Sequence, residues 1–246
     1  PIRARRGVIL AAGGFVYNDD MLAHHAPMLV GLNKLGTDSD DGRGILMAQA
    51  IGAAVRHMDA SECAYAGTTG LIAPSIVVNG NGQRFINEDT YFGRVGQAVL
   101  FKQNVMSLII TDDETWENVP AMERYLQPSS VCETLEELEQ EVGLPAGSLV
   151  RTVGEYNAGA EAGTDPLFGK QAKWLKPLRP PFAAFDLRNK LFLTVFTLGG
   201  LDTSVDGEVR NVSGDAIPGL YAAGRTTSGI PAAGYLSGSS LGDGTF

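Results

Sequence analysis

Apolar residues follow two periods along this chain, and the changes of period divide it into three stretches. The first opens on "RGVILAAGGF", a short apolar run ending in paired glycines. That is the pattern of a buried strand that stops where backbone must approach something closely. In "SDDGRGILMAQAIGAAV", Ile45, Leu46, Ala48, Ala50, Ile51 and Ala54 fall at helical spacing. Asp40 and Asp41 stand just before it, where capping residues belong.

From about Ala66 the texture changes. "SIVVNGNGQRFINE" predicts a hairpin around a Gly-Asn-Gly turn, and "SLIITDD" predicts a further strand. "CETLEELEQEVG" predicts a short acidic amphipathic helix ending at Gly143. "PAGSLVRTVGEYNAGAEAG" predicts another, with Leu149, Val153 and Tyr156 on one face. "WLKPLRPPF" is dense in proline and reads as an extended connector. Strands and hairpins return in "LFLTVFTLGGLDTS" and "DGEVRNVSGDAIPGLYAAG". The order is therefore α/β, then an α+β insertion, then α/β again. An inserted domain has two crossings, which the pattern puts near residues 67 and 185. The expected domains are residues 1–66, 67–185 and 186–246.

Composition removes several functions. A net charge of −9 argues against a nucleic-acid surface, which needs clustered Lys and Arg. No apolar run reaches the ~18 residues of a membrane span. Cys63 and Cys132 match no metal or redox spacing, so no metal site is expected and a reduced, cytoplasmic compartment is favoured. The chain begins at Pro1 rather than Met and ends on a Gly/Ser-rich motif, which reads as a piece of a longer polypeptide.

"GVILAAGGF", "DDGRGILMAQAIGA", "VVNGNGQRFINE", "TVGEYNAG…GTDPLFGK", "TLGGL" and "IPGLYAAG" are more specific together than singly. In this order they resemble the FAD-dependent fumarate reductase and succinate dehydrogenase flavoprotein superfamily, 3-ketosteroid dehydrogenases included. The resemblance covers nearly the whole chain, downstream of the superfamily's N-terminal G-x-G-x-x-G fingerprint, which is absent here. It implies an FAD-binding Rossmann-like domain, present in part, interrupted by an α+β substrate-capping domain.

Carried over by motif, the flavin contacts would be backbone at Ala12 and Gly13, then Asp41, Arg225, Ser240 and Leu241. Ser240 and Leu241 would begin a helix whose amides face the flavin's pyrimidine edge, where reduced flavin gathers negative charge. Arg225 is a departure, because most relatives place a glutamate after "YAAG".

Fumarate reductases hold a dicarboxylate with arginine and histidine, since an unpaired buried charge is costly. The three histidines here, His24, His25 and His57, all precede the cap texture. Phe196 stands where the reductases place a histidine before "TLGGL", and Tyr235 where they place the catalytic arginine. After "RFINE", "DTY" offers Tyr91 in place of a second arginine. Each exchange runs from cationic to neutral or aromatic, which suits a neutral, bulky, oxygenated substrate.

In "GYLSG", Tyr235 and Ser237 would share a face if the segment is extended. This Tyr-x-Ser pattern resembles the Δ4-(5α) branch of the 3-ketosteroid dehydrogenases. Desaturation beside a ketone needs a donor at the carbonyl oxygen, a base at the α-carbon and a hydride acceptor at the β-carbon. The resemblance implies Tyr235 for the first role, Ser237 for the second with Tyr91 as its relay, and FAD for the third. The expected partners are a steroid and an unidentified electron acceptor. The competing readings are a Δ1-ketosteroid dehydrogenase, a fumarate-reductase-like ene-reductase, and a non-catalytic fragment or flavin-free ligand-binding relative.

Overall fold

The computed structural model describes residues 4–231 and 234–245. The first third of the chain carries β1 (Val8–Leu10), α1 (Asp19–His25), β2 (Asn33–Lys34), α2 (Arg43–Gln49), β3 (Val55–Arg56) and β4 (Ser61–Tyr65). Next come α3 (Thr69–Ile72), β5 (Ile76–Asn79), α4 (Phe92–Gln103), β6 (Ser107–Asp112), α5 (Asp113–Asn118) and β7 (Ser130–Cys132). They are followed by α6 (Leu135–Val142), α7 (Ser148–Glu161) and β8 (Phe182–Asp186). The last part holds β9 (Leu193–Thr197), β10 (Gly200–Leu201), β11 (Glu208–Arg210), β12 (Ala216–Ala222) and α8 (Ser239–Asp243). Two compact units result: one formed by residues up to Cys63 together with those from Thr194 on, the other by Ala64–Leu193.

In the first unit β12 lies between β1, which it pairs in parallel, and β11, which it pairs antiparallel. β9 runs parallel to β2, with Thr194 opposite Asn33, and β10 pairs antiparallel with β3. The apolar run of β1 is not a buried strand: Val8 and Ile9 are 46% and 71% exposed. Its one described partner is β12, so β-branched side chains that suit a sheet interior lie uncovered here. The helix of "SDDGRGILMAQAIGAAV" also ends sooner than its periodicity predicts. Ile45 and Ala48 are buried, but Leu46 and Ile51 are exposed and Ile51 lies beyond the helix.

The second unit is built on an antiparallel sheet of order β5-β6-β8-β7. Ile76 and Val78, Leu108 and Ile110, and Phe182 and Ala184 alternate onto one face and pack with Leu138, Val142, Leu149, Val153 and Tyr156 of α6 and α7. Val77, Ile109 and Phe185 on the other face are buried as well, so both faces are covered. The Asn79–Gly82 turn forms as its residues predict, with the Asn79 amide donating to the Gln83 carbonyl at 2.9 Å. The returning strand does not develop beyond a bridge between Val78 and Arg84. Arg84 there carries its side chain into a buried ion network.

Helix ends are fixed by side chains. Thr134 and Glu137 form a reciprocal capping box on α6, and Gly143 closes it in the left-handed region at φ +67°. The buried Glu139 carboxylate accepts hydrogen bonds from the amides of Gly147, Leu149 and Val150, which begin α7. A carboxylate on unpaired amides at a helix start is favoured by both hydrogen bonding and the macrodipole. Glu139→Ala is expected to lower unfolding stability by about 2 kcal/mol, read from urea denaturation. An unchanged midpoint would show that water replaces the carboxylate at no cost.

Candidate functional site

β1 ends at Leu10 and the chain turns through Ala12, which is exposed, into Gly13 and Gly14. Gly13 has φ +77°, a conformation other residues seldom adopt. The turn is tied down from three directions. Thr226 Oγ1 donates to the Gly13 carbonyl at 3.1 Å, and the Gly42 amide donates to the Gly14 carbonyl at 3.0 Å. The Phe15 amide donates to Oγ1 of Thr197, the last residue of β9, at 3.0 Å.

The two aspartates before α2 separate in role. The N-cap is Gly42, in the left-handed region and without a side-chain cap. Asp41 serves the first turn from outside, accepting from the Arg43 amide at 3.0 Å and pairing with the Arg43 guanidinium at 2.8 Å. Asp40 does not cap. It is 5% exposed and meets Arg225 Nη2 at 2.6 Å, an ion pair between residues 185 positions apart. Its carboxylate sits where a Cβ on Gly13 or Gly36 would fall, so two positive-φ glycines make its room.

Arg225 lies on the turn after β12, and its guanidinium stands 5.1 Å over the ring of Phe196 on β9. Phe196 meets Tyr235 edge to face, with ring centroids 5.0 Å apart and planes at 88°. Asp40, Arg225, Phe196 and Tyr235 thus form one contact chain within the first unit. Arg225 Nη1 is buried without a hydrogen-bond partner, and so is Ser240 Oγ. Such orphan donors incur a desolvation cost unless a ligand meets them.

The segment after Tyr235 is not extended to Ser237. Ser237 and the left-handed Gly238 make a turn, closed by the Ser239 amide donating to the Leu236 carbonyl at 2.9 Å. Alternation therefore does not set the direction of the exposed Ser237. α8 is five residues long, and the Leu241 amide already donates to the Gly238 carbonyl at 3.0 Å. Leu241's side chain is 76% exposed. Of the two residues expected to meet the flavin there, Ser240 brings its orphan hydroxyl and Leu241 an engaged amide. The adjoining Ala232 and Ala233 of the same motif lie outside the described residues.

Tyr91 belongs to the second unit, as the residue that precedes α4, with its ring 4.4 Å from that of Phe92. The second unit also holds a buried ion network that the sequence pattern does not reveal. Arg84 donates to Glu88 through Nε and Nη2 at 2.8 and 2.7 Å, and to Asp165 through Nη1 and Nη2 at 3.1 and 2.8 Å. Its guanidinium lies between the rings of Tyr156 and Phe168, at 5.0 and 4.8 Å. Lys170 adds a second cation, 3.1 Å from Glu88. Arg84 and Glu88 are four residues apart but not on a helix, so their spacing carries no helical signal for this pair.

Burial pushes the Tyr156 phenol up to about 12, with the neighbouring carboxylates adding to it, so this tyrosine stays protonated. Burial beside Glu62 likewise raises the Cys63 thiol to about 12, which removes it from thiolate chemistry. His25 is lowered by burial and by His24, while His57 contacts Ser228 at 2.7 Å. Among the described residues no cluster of three or more His, Cys, Asp or Glu could hold a metal, and no helix is long and apolar enough to cross a membrane.

The Gly13–Gly14 turn, a guanidinium with an orphan nitrogen and a glycine-flanked hydroxyl segment lie in the same α/β unit. The chain belongs to the FAD binding domain family, whose model matches residues 1–241. It is a flavoprotein oxidoreductase family with ketosteroid dehydrogenase and fumarate reductase members, and FAD is its cofactor.

Among solved structures, the chain is 52% identical to a 3-ketosteroid-Δ4-(5α)-dehydrogenase from Rhodococcus jostii in complex with 4-androstene-3,17-dione. That match has a TM-score of 0.94 and covers 98% of this chain and 51% of the relative. A 3-ketosteroid Δ1-dehydrogenase from Sterolibacterium denitrificans matches at 28% identity and TM-score 0.75, over 92% of this chain and 48% of the relative. A probable fumarate reductase from Shewanella frigidimarina is 27% identical over 97% of this chain and 42% of its own length. The chain thus spans about half the length of these relatives.

Proposed function

We propose that the complete polypeptide is an FAD-dependent dehydrogenase that desaturates a 3-keto-(5α)-steroid beside its ketone. The observation that carries this reading is the setting of Tyr235. Its phenol stands against an aromatic ring, and the cation over that ring, Arg225, is already paired with Asp40. Such a setting can donate a hydrogen bond to a neutral ketone but holds no uncommitted charge for a dicarboxylate. The 52% identity to a Δ4-(5α)-dehydrogenase supports the same substrate class.

On this reading the first unit is part of the FAD-binding domain and the second caps the substrate. The orphan Arg225 Nη1 and Ser240 Oγ are donors that FAD would satisfy, and backbone at Ala12 and Gly13, with Asp41 and Leu241, would hold it by the family's motifs. When bound, FAD supplies the hydride acceptor. Tyr235 donates to the ketone oxygen and stabilises the charge that grows there as the α-carbon loses its proton. Ser237 takes that proton and Phe196 walls the steroid site, and the resemblance assigns the relay role to Tyr91. One proton and one hydride leave adjacent carbons, and the C=C bond forms between them. The electron acceptor that completes the cycle is a further partner of unassigned chemistry.

The test is the visible absorbance of the complete flavoprotein under anaerobic conditions, before and after a saturated 5α-3-ketosteroid, with succinate as control. Bleaching by the steroid alone is the expected result, with a Δ4 product. A Δ1 product would move the assignment to the other steroid branch, and bleaching by succinate would return it to the reductases. A complete polypeptide that retains no flavin would favour a ligand-binding relative instead.

A further inference from the structure

We infer that Asp40, acting through Arg225 and Phe196, is a positioning residue for the Tyr235 phenol. The inference rests on the reading of Tyr235 as the residue that meets the ketone. Tyr235 sits between Gly234 and the Leu236–Gly238 turn, where the backbone gives little lateral support to a side chain. Its orientation must come from what its ring touches, and the described ring contact is the edge-to-face pair with Phe196. Phe196 also carries the Arg225 guanidinium over its ring.

An arginine is free to carry its head into water along an apolar stem. Here it is held inward by one ion pair, from Nη2 to Asp40, while Nη1 is buried without a partner. The glycines at 13 and 36 leave the carboxylate one narrow seat, so Asp40 fixes the guanidinium in place as well as in charge. An uncharged side chain at position 40 would leave a guanidinium with one buried orphan nitrogen and no anion. Turning outward is then its relief, and Phe196 loses the face that sets its plane.

The experiment uses the complete FAD-loaded polypeptide with 3-fluorotyrosine incorporated, the Tyr235 fluorine resonance being assigned with Tyr235→Phe. Asp40→Asn is expected to move or broaden that resonance. It is also expected to slow flavin bleaching by the saturated 3-ketosteroid about ten-fold, with the steroid's Kd changed by less than about two-fold, as a misplaced catalytic group does. Arg225→Lys keeps an ion pair with Asp40 but removes the flat guanidinium from Phe196, and is expected to move the same resonance. It decides the matter if Asp40→Asn does not fold.

A Tyr235 resonance unchanged in the folded variants overturns the inference, and so does a shifted resonance with an unchanged bleaching rate. If the parent flavin is bleached by no steroid, the proposed reaction fails. The resonance still reports whether Asp40 governs the ring.

Discussion

Tyr235→Phe, made in the complete FAD-loaded polypeptide, is expected to slow flavin reduction by a saturated 3-ketosteroid by about 100- to 1000-fold, the cost of losing one donor at a developing oxyanion. The substitution is well suited to the question because it keeps the ring. The edge-to-face contact with Phe196 is made by carbon atoms and survives, so packing stays and only the hydroxyl goes. The loss should fall on the rate of bleaching far more than on steroid affinity. A ketone oxygen in the ground state gains little from the phenol, whereas the oxygen of the enolate-like transition state gains a great deal. Stopped-flow absorbance across a steroid concentration series separates the two. If affinity fell and the limiting rate held, Tyr235 would be a binding residue and the donor would have to be found elsewhere. Ser237→Ala and Tyr91→Phe, measured the same way, are expected to slow the step by roughly 100-fold or more as parts of the proton path.

How far these residues could be found without coordinates differs from one to the next. Motif order led to Tyr235, Phe196 and Arg225, because it depends on local spacing. What each residue touches did not follow. Asp40 and Asp41 look alike in the sequence as capping candidates, yet one takes the first turn of α2 and the other turns inward to an arginine 185 residues away. No periodic pattern encodes that pairing. α4 was illegible because Gly93 and Gly96 are poor helix formers, and it stands through burial of Val95, Val99 and Leu100. β8, central between β6 and β7, hides behind a proline-dense stretch and contains two alanines, which strands disfavour. Strongly periodic segments such as α6 and α7 are legible in the sequence, since their own apolar face is enough to specify them.

The buried ions of the second unit yield the largest expected loss of stability. Arg84→Met removes the cation that serves both Glu88 and Asp165, leaving Glu88 to Lys170 and the Val77 amide, and Asp165 to the amides of Phe168 and Lys170. Breaking such a group by removing one partner costs about 3–5 kcal/mol, because the remaining charge is stranded. The melting temperature should fall by on the order of 10 °C. Arg84→Lys is expected to recover little of it. A lysine cannot donate in pairs to two carboxylates at once, nor lie flat between Tyr156 and Phe168.

The pH dependence has a definite sign. Burial favours the neutral form of Asp165, but the hydrogen bonds and charge of Arg84, with the amides of Lys170 and Phe168, outweigh it and hold the carboxyl below its ordinary value of 3.8. A depressed folded-state value contributes stability above the unfolded one and loses it as pH falls through the folded one. The gap between the parent and Arg84→Met should therefore be constant from neutral pH down to about pH 5, and narrow below about pH 4. Urea unfolding across that range measures it. A gap that held its full size in acid would show that the arginine stabilises through its stacking on the two rings rather than through the carboxylates. The network would then be a packing device with charges at its rim.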